Sequence, residues 1–265
     1  MCEGPILHRR EILVALVGAT GTLVVGCVPG GEGGDFILVS PQQEAELGQQ
    51  TWSKIRAERA ASSNAEMNRM LGQVAGRLVS ATGGNPAEWE FVVFQGQEKN
   101  AFAVPGNKVG VYEGMFSVAG SDAQLAAVVG HEISHVHARH GARRISRSMA
   151  AEIGMQALMA AMQAGDVAAT DQIAGLLGAG VQYGVILPYS RDQELEADRL
   201  GVEAMARAGY DPQEAVRFWE AMAQAEGRGA PPEFMSTHPA DATRIQALQA
   251  ELPAAMAIYQ GQGQA

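Results

Sequence analysis

The stretch His131-Glu132-Ile133-Ser134-His135 constrains this chain more than any other, because it demands a helix and a second element to complete what the helix begins. At 3.6 residues per turn the two imidazoles stand roughly 40° apart on one helical face, where both reach a single metal ion. Glu132 falls about 60° from His135 on the same side, beside the metal rather than on it, which suits a general base for a metal-bound water. With six histidines and 21 glutamates in 265 residues, such a string arises by chance in about one chain in a hundred, so its surroundings must support it. They do. Ser121 and Gln124 read as a capping box, and Leu125, Ala126, Val128, Val129 and Ile133 follow at helical spacing.

Zinc in a hydrolytic site takes three protein ligands and keeps a position for water, so one ligand must come from elsewhere. His137 lies about 160° from His135 around the helix and His140 about 180° from His131, so both read as partly exposed or supporting residues. A metzincin pattern needs Gly at 138 and His at 141, where this chain has Ala138 and Gly141. A carboxylate from a second helix remains. Pro188 ends an apolar run, Ser190 with Gln193 reads as another capping box, and the helix that follows stops near Ala208, before Gly209. Glu194 and Asp198 are four apart and share a face, whereas Glu196 points about 200° away from Glu194. Glu194 is therefore the expected third ligand and Asp198 the acceptor that orients a ligating histidine through its other ring nitrogen.

H-E-x-x-H followed by S-R-x-x-E-x-E-A-D resembles the gluzincin family of zinc metallopeptidases that contains HtpX, the CAAX prenyl protease, Oma-type proteases and BepA-like periplasmic enzymes. Ser40 to Gly48 is similar to that family's opening helix and Asn100 to Gly106 to its Asn-Ala-Phe segment. Ser236-Thr237-His238-Pro239 with Arg244 is similar to its downstream His-Pro element. The resemblance runs over about residues 38 to 250. It implies a zinc endopeptidase carrying one zinc ion per chain, acting on protein substrates such as misfolded envelope proteins. Unlike the membrane-spanning relatives, the chain after its leader has no stretch of ~20 consecutive apolar residues. No repeat of about 34 residues suggests a tetratricopeptide extension, so a single protease domain over 38–265 is expected.

His8-Arg9-Arg10 followed by an apolar run from Ile12 to Val25 reads as a secretory leader over 1–26. Val24-Val25-Gly26-Cys27 resembles a bacterial lipobox, which makes Cys27 the expected lipidation site, and residues 27–37 form a Gly-rich tether. Val28 after the cysteine leans toward the outer rather than the inner membrane, so the expected location is the periplasmic side of the envelope. Cleavage removes Cys2 and leaves Cys27 as the sole cysteine, so no disulfide holds the fold. The net charge of −10 makes nucleic acid and anionic lipid poor partners; the lipid supplies the membrane contact.

Helical patterns cover about residues 41 to 61, 64 to 80, 122 to 146, 148 to 164, 171 to 187, 190 to 208, 212 to 226 and 239 to 258. Strands are expected at 89–95, 101–104 and 108–112. The fold class is α+β, predominantly α-helical, with a small sheet beside the metal helix. In the family resembled, the Asn-Ala-Phe strand is an edge that takes an extended peptide, which assigns substrate backbone binding to Asn100, Ala101, Phe102 and Ala103; the plainer reading is a core strand ending at Pro105. His238 has two readings, a cap at the helix that Pro239 starts, or a catalytic group that faces the zinc, either stabilising the oxyanion or filling the open position in a latent form. Arg244 either orders that loop, supports the oxyanion, or makes a surface salt bridge. A zinc-stabilised chaperone or adaptor lipoprotein with little proteolysis is the alternative to an enzyme, and a purely structural helical lipoprotein a third.

Overall fold

The computed structural model describes residues 37–147, 189–226, 233–238 and 242–262. The leader, Cys27, all but the last residue of the tether, and the helices expected over 148–164 and 171–187 lie outside the described residues.

Helix α1 (Pro41–Glu58) starts at Ser40, whose hydroxyl accepts the Gln43 N–H while the Gln43 side chain answers to the Ser40 N–H. Helix α2 (Ala65–Ala81) is capped by Asn64 and buries Leu71, Val74, Ala75, Leu78 and Val79 at helical spacing. Three strands follow, β1 (Glu90–Phe94), β2 (Ala101–Val104) and β3 (Lys108–Tyr112), in the order β1-β3-β2, with β1 parallel and β2 antiparallel to β3. The tight β2–β3 connection needs left-handed backbone at Gly106 (φ 85°) and Asn107 (φ 62°), residue types that tolerate it.

Period-two alternation splits the sheet between two cores. Val93, Ala101, Val109 and Val111 pack with α2 and with helix α3 (Asp122–His137), while Phe94, Val104 and Tyr112 turn to Trp52 of α1. Gly48 of α1 lies so close to the β2–β3 turn that a Cβ there would fall 1.9 Å from the Pro105 carbonyl oxygen. The outer edge of β1 is covered, since Ser62 N–H donates to Val93 and Gln95 N–H to Ala60. Among the described residues this leaves β2 as the sheet's open edge. Tyr112 N–H donates to the Asn100 carbonyl and Phe102 faces Gly110, so by antiparallel alternation the backbone groups of Ala101 and Ala103 turn away from β3.

Helix α4 (Arg191–Arg207) crosses α3 at glycine contacts. A Cβ on Gly201 would stand 3.0 Å from the His131 nitrogen, and one on Gly130 3.3 Å from the Gly201 carbonyl. Helices α5 (Gln213–Glu226), α6 (Glu233–Thr237) and α7 (Ala242–Gln262) follow, and α7 continues through Pro253. Among the described residues no helix is long and apolar enough to cross a membrane.

The helix expected to run unbroken from 122 to 146 does not. It stops at His137, turns through Ala138 and Arg139, and is helical again over 140–147. Arg139 adopts φ 54° there, a costly conformation for a residue that carries a Cβ, and its guanidinium is held by Glu44 at 2.8 Å. The Ser121 cap also differs in detail: Ser121 accepts the Gln124 N–H, but the Gln124 side chain bonds the Gly120 N–H instead of closing the box.

Candidate metal centre

The close approach of α3 and α4 brings the imidazoles of one helix to the carboxylates of the other. His131, His135, Glu194 and His238 each offer a ligand atom, all within 4.8 Å of one another, and all four side chains are buried. The Nε2 atoms of His131 and His135 are 2.9 Å apart, and Glu194 carboxylate oxygens lie 3.4 Å and 3.5 Å from them. Glu132 sits beside the cluster, 0 % exposed.

On the side of the ring away from the cluster, Asp198 Oδ1 accepts the His131 Nδ1–H at 2.9 Å. Arg244 clamps Asp198 with Nε at 2.5 Å and Nη2 at 2.8 Å, brings Nη1 within 2.7 Å of Glu194 Oε2, and lies 3.8 Å over the Trp219 ring. It is 3 % exposed, so the surface salt bridge entertained for it does not exist. His238 ends the short α6, its N–H bonded to the Phe234 carbonyl and its ring stacked on Phe234, which in turn stacks on Trp219. Its Nδ1 is 3.0 Å from Glu194 Oε1 and 3.2 Å from His131 Nε2, and its Nε2 is 3.4 Å from Glu132 Oε1. Of the two sequence readings, the ring position fits a group facing the cluster.

Charge follows this geometry. Burial disfavours the His131 imidazolium, yet hydrogen bonds and charge from Asp198 and Glu194 outweigh it and push its pKa up to about 9. Burial and the positive charge on His131 hold His135 well below the ordinary histidine value. Burial would raise the Glu194 carboxyl, but His238, His131 and His135 hold it far below the carboxylate range; Arg244 does the same for Asp198. Both Glu132 oxygens are buried without a hydrogen-bond partner. Orphaned buried acceptors beside two imidazole nitrogens are the donor set of a divalent cation, and they fit zinc.

A pH dependence follows for the metal-free protein. His131 is raised above the ordinary value of 6.5, so the stability it contributes is full below about 6.5 and is lost as pH rises through about 9. His135 and His140, both depressed by burial, act oppositely, since below about 6.5 the unfolded chain takes protons that the folded one refuses. The chelated protein should melt highest near pH ~6.5 and lower on both sides, and zinc, taking the place of the His131 proton, should flatten the alkaline fall. Melting no lower at about pH 9 than at about 6.5, with chelator present, is the contrary result.

Several residues at the site escaped sequence reasoning. Tyr189 stacks on His135 with ring centroids 3.9 Å apart at 19°, under the Arg144 guanidinium. Burial, reinforced by Glu132 and Glu194 against the pull of Arg144, pushes its hydroxyl up to about 12. The available signal was its place directly before the Ser190 cap of α4. Trp219 and Phe234 form the aromatic floor, and His140, fully buried against His135, was read only as partly exposed or supporting.

The family model described as peptidase family M48 matches residues 61–252 of this chain. The mitochondrial metalloendopeptidase OMA1 of Schizosaccharomyces pombe is 32% identical over 224 residues, covering 83% of this chain and 64% of the relative. The beta-barrel assembly-enhancing protease of Escherichia coli K12 is 31% identical over 212 residues, covering 77% and 42%. OMA1 of Saccharomyces cerevisiae is 34% identical over 166 residues, covering 61% and 46%. The chain thus spans less than two thirds of the length of each of these relatives.

Proposed function

The chain belongs to peptidase family M48, and from that premise we propose that it is a zinc-dependent metalloendopeptidase in which His131, His135 and Glu194 hold the metal. The observation that carries this reading is the convergence of these buried donors beside the orphaned carboxylate of Glu132. Zinc there supplies a Lewis acid that polarises the scissile carbonyl and acidifies a water. Glu132 takes the water's proton on a carboxylate oxygen and delivers it to the leaving nitrogen. Asp198 fixes the His131 tautomer, and Arg244 holds Asp198 and balances Glu194.

An extended substrate would lie along β2, where Ala101 and Ala103 offer outward backbone groups and Asn100 and Phe102 complete the strand. The support is the open edge of β2 and its packing beside α3. Backbone recognition of this kind demands little of side-chain identity, which suits unfolded protein substrates. The name of the Escherichia coli relative supports a place in envelope protein quality control, and the apolar run before Cys27 supports export with a lipid on Cys27 toward the outer membrane. Incorporation of a palmitate analogue that persists in Cys27→Ala would remove the anchor from this reading.

His238, with Nδ1 in the cluster and Nε2 toward Glu132, fits the fourth metal position better than an open oxyanion site. This favours a latent enzyme and keeps the second reading, a zinc-stabilised chaperone or adaptor, within view. Digestion of unfolded casein by the zinc-loaded chain separates the two. The expected result is cleavage that stops with a chelator, returns with zinc, and quickens in His238→Ala. Zinc binding without any cleavage in either protein favours the adaptor, and an absence of stoichiometric zinc overturns both.

A further inference from the structure

We propose that His140 is a positioning residue for His135, accepting its Nδ1–H and donating its own Nε2–H to Glu196, so that a His–His–Glu chain fixes the second metal-facing imidazole. The inference rests on the zinc site proposed above. His135 turns Nε2 toward the cluster, and its rear nitrogen, Nδ1, lies 2.8 Å from His140 Nδ1. Two ring nitrogens at that distance bond only if one carries hydrogen and the other a lone pair. A ligating Nε2 keeps its lone pair for the metal, so the neutral His135 carries its hydrogen on Nδ1 and His140 Nδ1 must accept. The His140 hydrogen is then on Nε2, which lies 3.1 Å from Glu196 Oε2, an acceptor that also takes Arg143 Nη1 at 3.0 Å. Every hydrogen bond in the chain then has one consistent direction.

The backbone is arranged for this contact. In an unbroken helix His140 would stand about 140° around from His135 and point away from its ring. The turn at Ala138 and Arg139, with Arg139 at φ 54° and tied to Glu44, starts a new helical segment and seats the His140 ring edge-on to His135, centroids 4.9 Å apart. His140 is 0 % exposed and the Glu196 side chain 34 % exposed, so the chain runs from the metal face to the surface. The two metal-facing histidines are therefore unequal: His131 donates to the carboxylate of Asp198, His135 to a neutral imidazole, the weaker acceptor.

Zinc affinity of the full chain, by competition with a chelating indicator, tests the assignment, with visible spectra of the cobalt-substituted protein as a second readout. His140→Ala should weaken zinc binding by about ten- to a hundred-fold and move the cobalt bands. His140→Asn, whose amide oxygen can stand where Nδ1 accepts, should recover most of the affinity. Wild-type affinity and spectrum in His140→Ala, or a His140→Asn protein as weak as the alanine variant while melting like wild type, overturns the proposal. If His140→Ala does not fold, Glu196→Ala replaces it: weaker zinc binding at unchanged melting supports the chain, and unchanged binding overturns it. A wild-type protein that binds no zinc would sink the metallopeptidase reading itself, which is a distinct outcome.

Discussion

Glu132→Gln should keep one zinc per chain and lose casein hydrolysis by on the order of a hundred- to ten-thousand-fold, the usual contribution of a positioned general base. The substitution is close to isosteric, and both Glu132 oxygens lack a hydrogen-bond partner, so no bond that holds the fold is removed. The side chain is 0 % exposed, and an uncharged amide there relieves rather than adds desolvation. What the amide cannot do is take a proton from water and return it to the leaving nitrogen. Elemental analysis and casein digestion measure the two halves separately. A Glu132→Gln protein that digests casein at the wild-type rate would remove Glu132 from the mechanism.

The largest stability effect is expected at Arg244. Its guanidinium is the cation between two buried carboxylates, at 2.5 Å from Asp198 and 2.7 Å from Glu194. Arg244→Leu leaves those carboxylates facing each other with the imidazoles as their nearest compensation, and breaking a buried pair in this way costs about 3–5 kcal/mol. Against a domain stability of about 5–15 kcal/mol this is a large fraction. Zinc restores positive charge to the same carboxylate cluster, so the loss should be greater in chelated than in zinc-loaded protein. Arg244→Lys keeps the charge but not the two-pronged grip on Asp198 or the stack over Trp219, and should fall between the two. Urea unfolding of both variants, with chelator and with zinc, gives the values. An Arg244→Leu midpoint equal to wild type without metal would show that the network contributes nothing to stability.

Burial decides the role of Arg244, and burial is what a sequence reports least well. A charged residue in the first turns of an expected C-terminal helix carries no mark of whether α7 turns it to solvent or to the core. His238 has the same difficulty. Pro239 after it suggested a cap, but the His238 ring is stacked on Phe234 of its own short helix, and Phe234 is backed in turn by Trp219 of α5.

Within one continuous helix, periodicity alone was sufficient. The 3.6-residue turn set His131 beside His135 and Glu194 beside Asp198, and the caps at Ser121 and Ser190 fixed where those turns begin. Both relations are local, a few residues apart, and the structure keeps them. The same rule mislocated His140, because it assumed that the helix goes on past His137. The break at Arg139 is held by Glu44 from α1, 95 positions earlier in the chain, and by no signal within the segment itself. Glu196, turned away from Glu194 by the helical rule, meets His140 for that reason. The sequence alone determined that His131, His135 and Glu132 share one helical side and Glu194 and Asp198 another, the pairs from which the candidate metal set is drawn, because those relations are angular and local. Only the tertiary structure decided what stands behind and over that set, His140, Tyr189, Arg244 and His238, because their positions depend on contacts between segments far apart in the chain.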